Sequence, residues 1–192
     1  MIRPLLYALT MIFCLGETAS AAPISYIAST VGTGSVGGLT FENKVIYLIG
    51  TGNTDTASEV QPALFENPLS SLRYEIPGIT VGQFTGEFYV FATDTGFGFG
   101  RQSSTDIFDT NYPTYKVFDL RSALDPVAGN VFSPRGVFDT TAGNLAVSLS
   151  SVSSVYANLL PVATPEPASR LIMLTTLTGI FFTRRKRAGD VA

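Results

Sequence analysis

Carboxylates are the side chains with the widest chemical scope in this chain of 192 residues. Glu42 and Glu87 each lie in a strand-like run, and two carboxyl groups about 5–10 Å apart can hydrolyse a glycosidic bond. The order of residues alone does not bring these two together. The chain has no Trp for sugar stacking, although it has 8 Tyr and 14 Phe. A carboxylate-based hydrolase is therefore the least favoured function that the sequence leaves open.

Histidine and cysteine are almost missing, which removes most other catalytic chemistry. The chain has no His, and its single Cys, Cys14, lies in an N-terminal apolar run that we expect to be cleaved off. The remaining chain then lacks both imidazole and thiol. This excludes Ser-His and Cys-His nucleophiles, metals ligated by His or Cys, and disulfides. We predict a protein that is not an enzyme and that has no cofactor.

Aspartates in the second half of the chain could supply oxygen ligands to calcium; they are Asp94, Asp106, Asp109, Asp119, Asp125 and Asp139. Calcium takes 6–8 such ligands, but the sequence contains neither an EF-hand-like loop nor an acidic nonapeptide repeat. Asp is also frequent in turns, because its side chain bonds the neighbouring backbone. Turn residues are the favoured interpretation, and no metal site is predicted.

A glycine pattern of the dinucleotide-binding type occurs at Gly32, Gly34 and Gly37. That chemistry needs a helix after the glycines, because the pyrophosphate binds at the helix N-terminus. Here the strand-like run Phe41 to Ile49 follows instead. The glycines are therefore predicted to form a flexible turn.

Tyrosines are numerous in the same region and could form a face that binds sugar or protein: Tyr26, Tyr47, Tyr74, Tyr89, Tyr112, Tyr115 and Tyr156. Aromatic residues are equally expected in the core and rim of a β-protein. The sequence therefore assigns no binding residue among them.

The segment 22–160 has the alternating pattern of a β-protein. Leu145, Val147 and Leu149 alternate with small or polar residues, which is the period of a strand with one buried face. Further strands are expected at Phe41 to Ile49, around Phe84 to Val90, and at Tyr115 to Leu120. Clusters of Gly, Pro, Asn and Asp separate these runs. We predict an all-β body, an antiparallel sandwich or a jelly roll.

Charge in the body is acidic. Residues 22–164 contain 6 Lys and Arg against 12 Asp and Glu, so 6 − 12 gives a net charge of −6. Nucleic-acid binding proteins carry a basic patch or stripe. Nucleic acid is therefore not expected as a partner.

The N-terminus has the three parts of a secretory signal peptide, which we assign to residues 1–21. Arg3 supplies the charged region, an apolar run from Pro4 to Gly16 follows, and Ala19-Ser20-Ala21 is a small-residue cleavage site. The apolar run is too short for a good membrane span, which needs about 20 residues. We predict a signal helix, recognition by signal peptidase, and a mature chain that begins at Ala22.

The C-terminal segment 161–192 also has three parts. Pro165-Glu166-Pro167 comes first, an apolar helix is expected over 171–182, and Arg184-Arg185-Lys186-Arg187 closes the segment. The two prolines hold the chain between body and helix extended. Basic residues tend to stay on the cytoplasmic side of a membrane. The segment would therefore hold the exported body at the membrane for a time.

These features of the C-terminus resemble the PEP-CTERM sorting signal, which occurs in many Gram-negative bacteria that make extracellular polysaccharide. The resemblance rests on the order of the Pro165-Glu166-Pro167 motif, the apolar segment and the basic cluster. It implies recognition by an exosortase, a transpeptidase-like membrane enzyme, with processing near the motif. Such proteins are sorted to the cell envelope, the outer surface or the extracellular matrix.

Two other interpretations of the C-terminus fit less well. As a permanent anchor, residues 171–182 would form a helix of about 18 Å, short of the roughly 30 Å hydrocarbon core. A GPI signal has a polar spacer of about 8–12 residues before its apolar tail. Here only Ser169-Arg170 stands in that place.

Together these features predict an exported surface or extracellular-matrix protein with a structural or adhesive role linked to exopolysaccharide or biofilm. The alternative is a secreted polysaccharide-binding module. The expected partners are signal peptidase, an exosortase, extracellular polysaccharide and, transiently, the membrane.

Processing at both ends can be tested directly by intact mass and terminal sequencing of the protein recovered from its host's envelope and medium. We expect a product that begins at Ala22 and ends between Pro165 and Pro167, because the signal peptide and the C-terminal sorting signal are removed. A product that still carries Arg184 to Arg187 would show instead that the C-terminal segment is a retained anchor.

Overall fold

A computed structural model describes residues 21–101, 104–111, 118–132 and 136–161, all within the first of two units of the chain, Met1–Pro161. They form eleven strands and one 3-10 turn at Thr54–Thr56. The strands are β1 (Pro23–Val36), β2 (Leu39–Asn53), β3 (Ser58–Gln61), β4 (Leu64–Ile76), β5 (Thr80–Gln83), β6 (Phe88–Ala92), β7 (Gly96–Arg101), β8 (Ser104–Asn111), β9 (Leu124–Val131), β10 (Gly136–Phe138) and β11 (Leu145–Leu159). The predicted all-β class is confirmed.

Eight of these strands close into an antiparallel barrel in the order β1-β2-β4-β6-β7-β8-β9-β11. The sheet closes because β11 pairs with β1, from Ile24 opposite Leu159 to Val36 opposite Leu145. The short strands β3 and β5 add to β4, and β10 adds to β11. The predicted sandwich or jelly roll is therefore wrong: both architectures pack two sheets face to face, whereas here one sheet bends round on itself.

Alternation along each strand decides which side chains enter the barrel. In β6 the residues Phe88, Val90 and Ala92 are buried, while Tyr89 and Phe91 point outward. The predicted strand at Phe41 to Ile49 lies within β2, and the alternating run of Leu145 to Leu149 opens β11.

The predicted strand at Tyr115 to Leu120 lies only partly within the described residues. In the described part of the run Tyr115 to Leu120, residues Phe118 to Leu120 form a bend that follows no strand ladder. Phe118 and Leu120 are nevertheless buried. Their apolar spacing therefore reports burial in the core and not pairing in a sheet.

Large aromatic rings fill the barrel. Phe97 and Phe99 from β7 meet edge to face, with ring centroids 5.6 Å apart and an interplanar angle of 86°. Tyr26 and Phe108 are fully buried beside them. An eight-stranded barrel has an interior just wide enough for side chains to fill. These rings occupy the lumen and form its core.

A buried polar network ties one end of this core to the bend at Leu120. The Tyr26 hydroxyl donates to the Leu120 carbonyl oxygen at 2.6 Å and accepts from Asn67 Nδ2 at 2.7 Å. The Asn67 amide also donates to the Asn53 carbonyl at 3.0 Å and accepts from Thr56 Oγ1 at 2.5 Å. Burial raises the pKa of Tyr26 to about 12, so its hydroxyl stays protonated and able to donate.

Leu120 itself adopts the left-handed conformation, with a φ of 61°. This region is unfavourable for a branched side chain such as Leu and costs on the order of 1–2 kcal/mol. The bend is fixed on its other side by Arg121, whose Nη2 donates to the Ala57 carbonyl at 2.6 Å. Two hydrogen bonds of 2.6 Å thus hold the bend over the end of the barrel.

The expected terminal helices, the signal helix within 1–21 and the apolar helix at 171–182, lie outside the described residues. In the portion of the chain that the structure does describe, no helix has the length and apolar character needed to cross a membrane.

Removal of the Tyr26 hydroxyl tests the buried network. Tyr26→Phe leaves the Leu120 carbonyl and one Asn67 N–H without their partner, and we expect the free energy of unfolding to fall by about 1–3 kcal/mol. Urea denaturation measures this, with an unchanged m-value as the sign that both end states are preserved.

Tyr156→Phe is the matched control. Tyr156 is half-buried on β11 and its hydroxyl makes no hydrogen bond with any described residue, so the change should be within about 0.5 kcal/mol. Equal losses in the two variants would show that the network contributes nothing specific.

Candidate functional site

The glycine pattern lies in a hairpin. Gly32 and Gly34 are inside β1, and Gly37 forms the turn to β2 with a φ of 54°. A strand follows the turn, as the sequence analysis expected. A Cβ at Gly34 would overlap with the backbone of β11, so this glycine serves close strand packing.

The carboxylate pair of the hydrolase hypothesis is not brought together. Glu42 lies near the hairpin end of β2. Glu87 precedes β6 and lies level with the opposite end of β2, because Gly52 of β2 pairs with Leu69 of β4 and the adjacent Pro68 pairs with Tyr89 of β6. About ten residues of strand, roughly 30 Å, separate the two levels. That distance is several times too long for a glycosidase pair.

The six aspartates are dispersed over the barrel. Within the ranges that the structure covers, no group of three or more acidic side chains comes close enough to hold a metal ion. Asp94 and Asp139 follow strands and Asp119 lies in the bend before β9, as turn residues do; Asp106, Asp109 and Asp125 lie within strands instead. Only Asp106 and Asp109, both on β8, are near each other, since the charge of Asp106 acts on Asp109.

The described tyrosines divide between core and surface. Tyr26 and Tyr74 are fully buried, and Tyr47, Tyr89 and Tyr156 are half-buried on outward positions. Tyr112 and Tyr115 lie outside the described residues. Among the outward tyrosines, Tyr89 has a second ring beside it on the same strand, because Phe91 follows two residues later.

We call this region the outer aromatic face and define it by Tyr89 and Phe91 on β6, Glu66 on β4, and Asp106 and Asp109 on β8. The ring centroids of Tyr89 and Phe91 are 6.2 Å apart and their planes make an angle of 48°. The strand order places β6 and β7 next to each other between β4 and β8. The face therefore spans four neighbouring strands of the barrel.

Glycines in β7 let the two rings lie across the sheet. Gly100 pairs with Tyr89 and Gly98 pairs with Phe91. A Cβ at Gly100 would overlap with the Tyr89 ring, and a Cβ at Gly98 would overlap with the Phe91 ring. The rings thus occupy the space that side chains of β7 would fill. The two rings, tilted by 48° to each other, therefore cover the outward side of β7.

Sequence reasoning missed this face, although a signal was present. Residues 96–101 read Gly-Phe-Gly-Phe-Gly-Arg, so large and small residues alternate with the period of a strand. The pattern indicates a strand with one bulky, buried face and one bare face. It does not reveal which neighbouring strand supplies the rings that cover the bare face.

A depression lies at each end of the aromatic pair. The first, about 590 Å³, is lined by Thr56, Ser58, Glu66, Pro68, Leu69, Glu87, Phe88 and Tyr89. The second, about 240 Å³, is lined by Phe91, Thr93, Thr95, Gly96, Asp109, Thr110, Asn111 and Phe132. Each depression contains one of the two outward rings, at least one carboxylate and several hydroxyl groups.

Local electrostatics on the face are unfavourable to its own charges. Burial, and then the negative charge of Asp106, raises the pKa of Asp109, against a hydrogen bond from the Thr110 backbone that lowers it. Burial also raises the pKa of Asp106. The pKa of the Tyr89 hydroxyl is raised by burial and by the charges of Asp106 and Glu66. The tyrosine hydroxyl therefore stays protonated and available as a donor.

The groups of the outer aromatic face have the chemistry that suits a sugar chain. The carboxylate pair of the hydrolase hypothesis, Glu42 and Glu87, is too far apart for catalysis. Tyr and Phe rings present an apolar surface on which the C–H face of a sugar ring can stack, while the Tyr hydroxyl keeps a polar handle. Carboxylates and hydroxyls accept hydrogen bonds from sugar hydroxyls. Comparison with protein-family models, curated proteins and solved structures gives no match to this chain.

Neutralising Asp109 tests the electrostatic description. A carboxyl whose pKa is raised on folding binds more protons in the folded state, so stability falls as pH rises from 3.8 to the raised value. We expect Asp109→Asn, which keeps an acceptor for the Thr110 N–H, to raise the thermal midpoint at neutral pH and to lose this advantage below pH 3.8.

The control is Asp125→Asn on β9, where the side chain is exposed, and its thermal midpoint should follow that of the unmodified protein. A midpoint of Asp109→Asn that equals or lies below that of the unmodified protein at neutral pH would contradict the description of a strained, half-buried charge.

Proposed function

We propose that this protein is an exported component of the bacterial surface or extracellular matrix that holds extracellular polysaccharide on its outer aromatic face. Its role is structural or adhesive, in the exopolysaccharide matrix of a biofilm, and the body is not an enzyme. A secreted polysaccharide-binding module and a matrix component, two alternatives at the level of sequence, become one function in this proposal.

The pair of outward rings is the observation that carries the proposal. Tyr89 and Phe91 lie 6.2 Å apart on one strand, a separation on the scale of a single sugar residue in a polymer. Both rings are supported from below by the glycines of β7, so little side-chain entropy is lost when a ligand stacks on them. Rigid aromatic anchors of this kind dominate the energetics of binding surfaces.

Delivery to the surface is proposed from the sequence. Cleavage by signal peptidase between Ala21 and Ala22 would release the body outside the inner membrane. The Pro165-Glu166-Pro167 motif and the basic cluster Arg184 to Arg187 would present the C-terminus to an exosortase. Localisation in the envelope, on the outer surface or in the matrix follows from these two steps.

Truncation of the rings tests the proposed function. We expect Tyr89→Ala and Phe91→Ala each to weaken binding to the polysaccharide isolated from the producing bacterium by about tenfold, equivalent to about 1.4 kcal/mol. Co-sedimentation with the insoluble polymer, or calorimetry with soluble fragments, gives the affinity. A melting temperature equal to that of the unmodified protein shows that the barrel of a variant is intact.

Tyr47→Ala serves as the matched control, because Tyr47 is an outward, half-buried tyrosine on β2. Its affinity for the polymer should equal that of the unmodified protein. If the unmodified protein does not bind the producer's polymer, or if all three variants bind equally, the proposed function is wrong.

A further inference from the structure

The charged side chains that line the two depressions are, among the described residues, all carboxylates. Glu66 and Glu87 line the first depression and Asp109 lines the second, while Asp106 lies close enough to raise the pKa of Tyr89. No Lys or Arg lines either depression among the residues that the structure describes. Among the residues that the structure describes, four carboxylates therefore border the two rings.

Arg101 ends the neighbouring strand β7, and its guanidinium contacts the loop that precedes β6. Its Nη2 donates to the Thr85 carbonyl oxygen at 3.4 Å, and its guanidinium lies beside Gly86. The guanidinium is thus engaged with the loop that precedes β6.

This negative charge bears on the kind of polysaccharide that the face would accept. Half-buried carboxylates with raised pKa values are destabilised in their charged form, and a cation placed near them relieves that cost. An anionic polymer such as a polyuronic acid would meet repulsion from all four carboxylates. The rings, like the carboxylates, favour a cationic ligand, because the face of an aromatic ring attracts an ammonium group.

Shape distinguishes a sugar chain from other cationic ligands. The two rings lie side by side on the outside of the barrel, tilted by 48° to each other, with a depression at either end. Hydroxyl and amide groups line the rims of the depressions, namely those of Ser58 in the first and of Thr93, Thr95 and Asn111 in the second. Flat rings suit pyranose rings, and the hydroxyls can bond sugar hydroxyls at the periphery.

Resting on the proposed function, we propose that the polymer bound by the outer aromatic face is an amino-sugar polysaccharide with free amino groups. Its pyranose rings stack on Tyr89 and Phe91, and its ammonium groups lie against the surrounding carboxylates, Glu66 and Glu87 at one end and Asp109 at the other. The ligand is thus cationic at neutral pH, and acetylation of its amino groups removes the charge that the face recognises.

Two oligosaccharides of the same length and linkage provide the test: β-1,4-linked glucosamine and its fully N-acetylated counterpart. They differ only in charge and in the acetyl group. Calorimetry with the purified exported protein should give a dissociation constant for the free amine that is at least tenfold lower than that for the N-acetylated oligosaccharide. The difference should shrink as salt is raised, because partly exposed charges are screened.

Matched variants separate this face from the general acidity of the protein. Glu66→Gln, Glu87→Gln and Asp109→Asn should each reduce the preference for the free amine by several fold. Glu42→Gln lies on β2, far from the face, and should leave the preference unchanged. The melting temperature of each variant is measured as well, and only variants that melt like the unmodified protein are compared. An unfolded protein is then not counted as a loss of binding.

Each other outcome overturns the inference in a recognisable way. If the producer's polymer binds but the N-acetylated oligomer binds as tightly as the amine, or neither oligomer binds, the proposed function stands and the charge selection is wrong. If Glu42→Gln lowers the preference as much as Glu87→Gln, binding follows net charge and not this face. If tetralysine binds as tightly as the amino sugar, the face recognises basic side chains and not sugar. If no polysaccharide binds at all, the proposed function fails first.

Discussion

The interior of an eight-stranded barrel is just wide enough for side chains, and this constraint governs the whole molecule. Every inward position must contribute to one filled core, as Phe97, Phe99 and Phe108 do. The candidate face described above is built from outward positions, on the other side of the same wall. Along β7 the same alternation directs the large rings into the barrel and places Gly98 and Gly100 on the outward side. Filling the core therefore creates the bare strip on which the outer aromatic face is built.

Polar chemistry is concentrated where the barrel ends. Inside the wall, hydrogen bonds run along the strand ladders, but at the end near Leu120 the network of Tyr26 and Asn67 must satisfy backbone groups that belong to no ladder. A buried group left unpaired is costly, so the network fixes one arrangement of the bend. The left-handed conformation of Leu120 is maintained by these bonds and by that of Arg121. The end of the barrel is thereby as specific as its wall.

Much of the fold was predictable from local patterns, and much of the site was not. Alternation in Leu145 to Leu149 and the run Phe41 to Ile49 report strands, because the period of two depends on neighbouring residues alone. Closure of the sheet depends on Ile24 meeting Leu159, a contact that no local pattern encodes, and the predicted sandwich failed for that reason. The outer aromatic face has the same origin. Its rings and carboxylates come from β4, β6 and β8, which become neighbours only when the strand order is fixed.

Pairing of the first strand with the last has a consequence for the order in which the molecule is completed. A chain that is synthesised or threaded from its N-terminus presents β1 with one edge unpaired until β11 arrives. Throughout that interval the sheet is open, and open edges are templates for association with other chains. In the folded barrel β11 covers that edge, and next to the last pair of the ladder the Leu160 N–H donates to the Pro23 carbonyl at 2.8 Å. That bond brings the two ends of the body together, so a short engineered loop could join them and new termini could be opened in a surface turn such as Gly37-Gly38, giving a circularly permuted barrel.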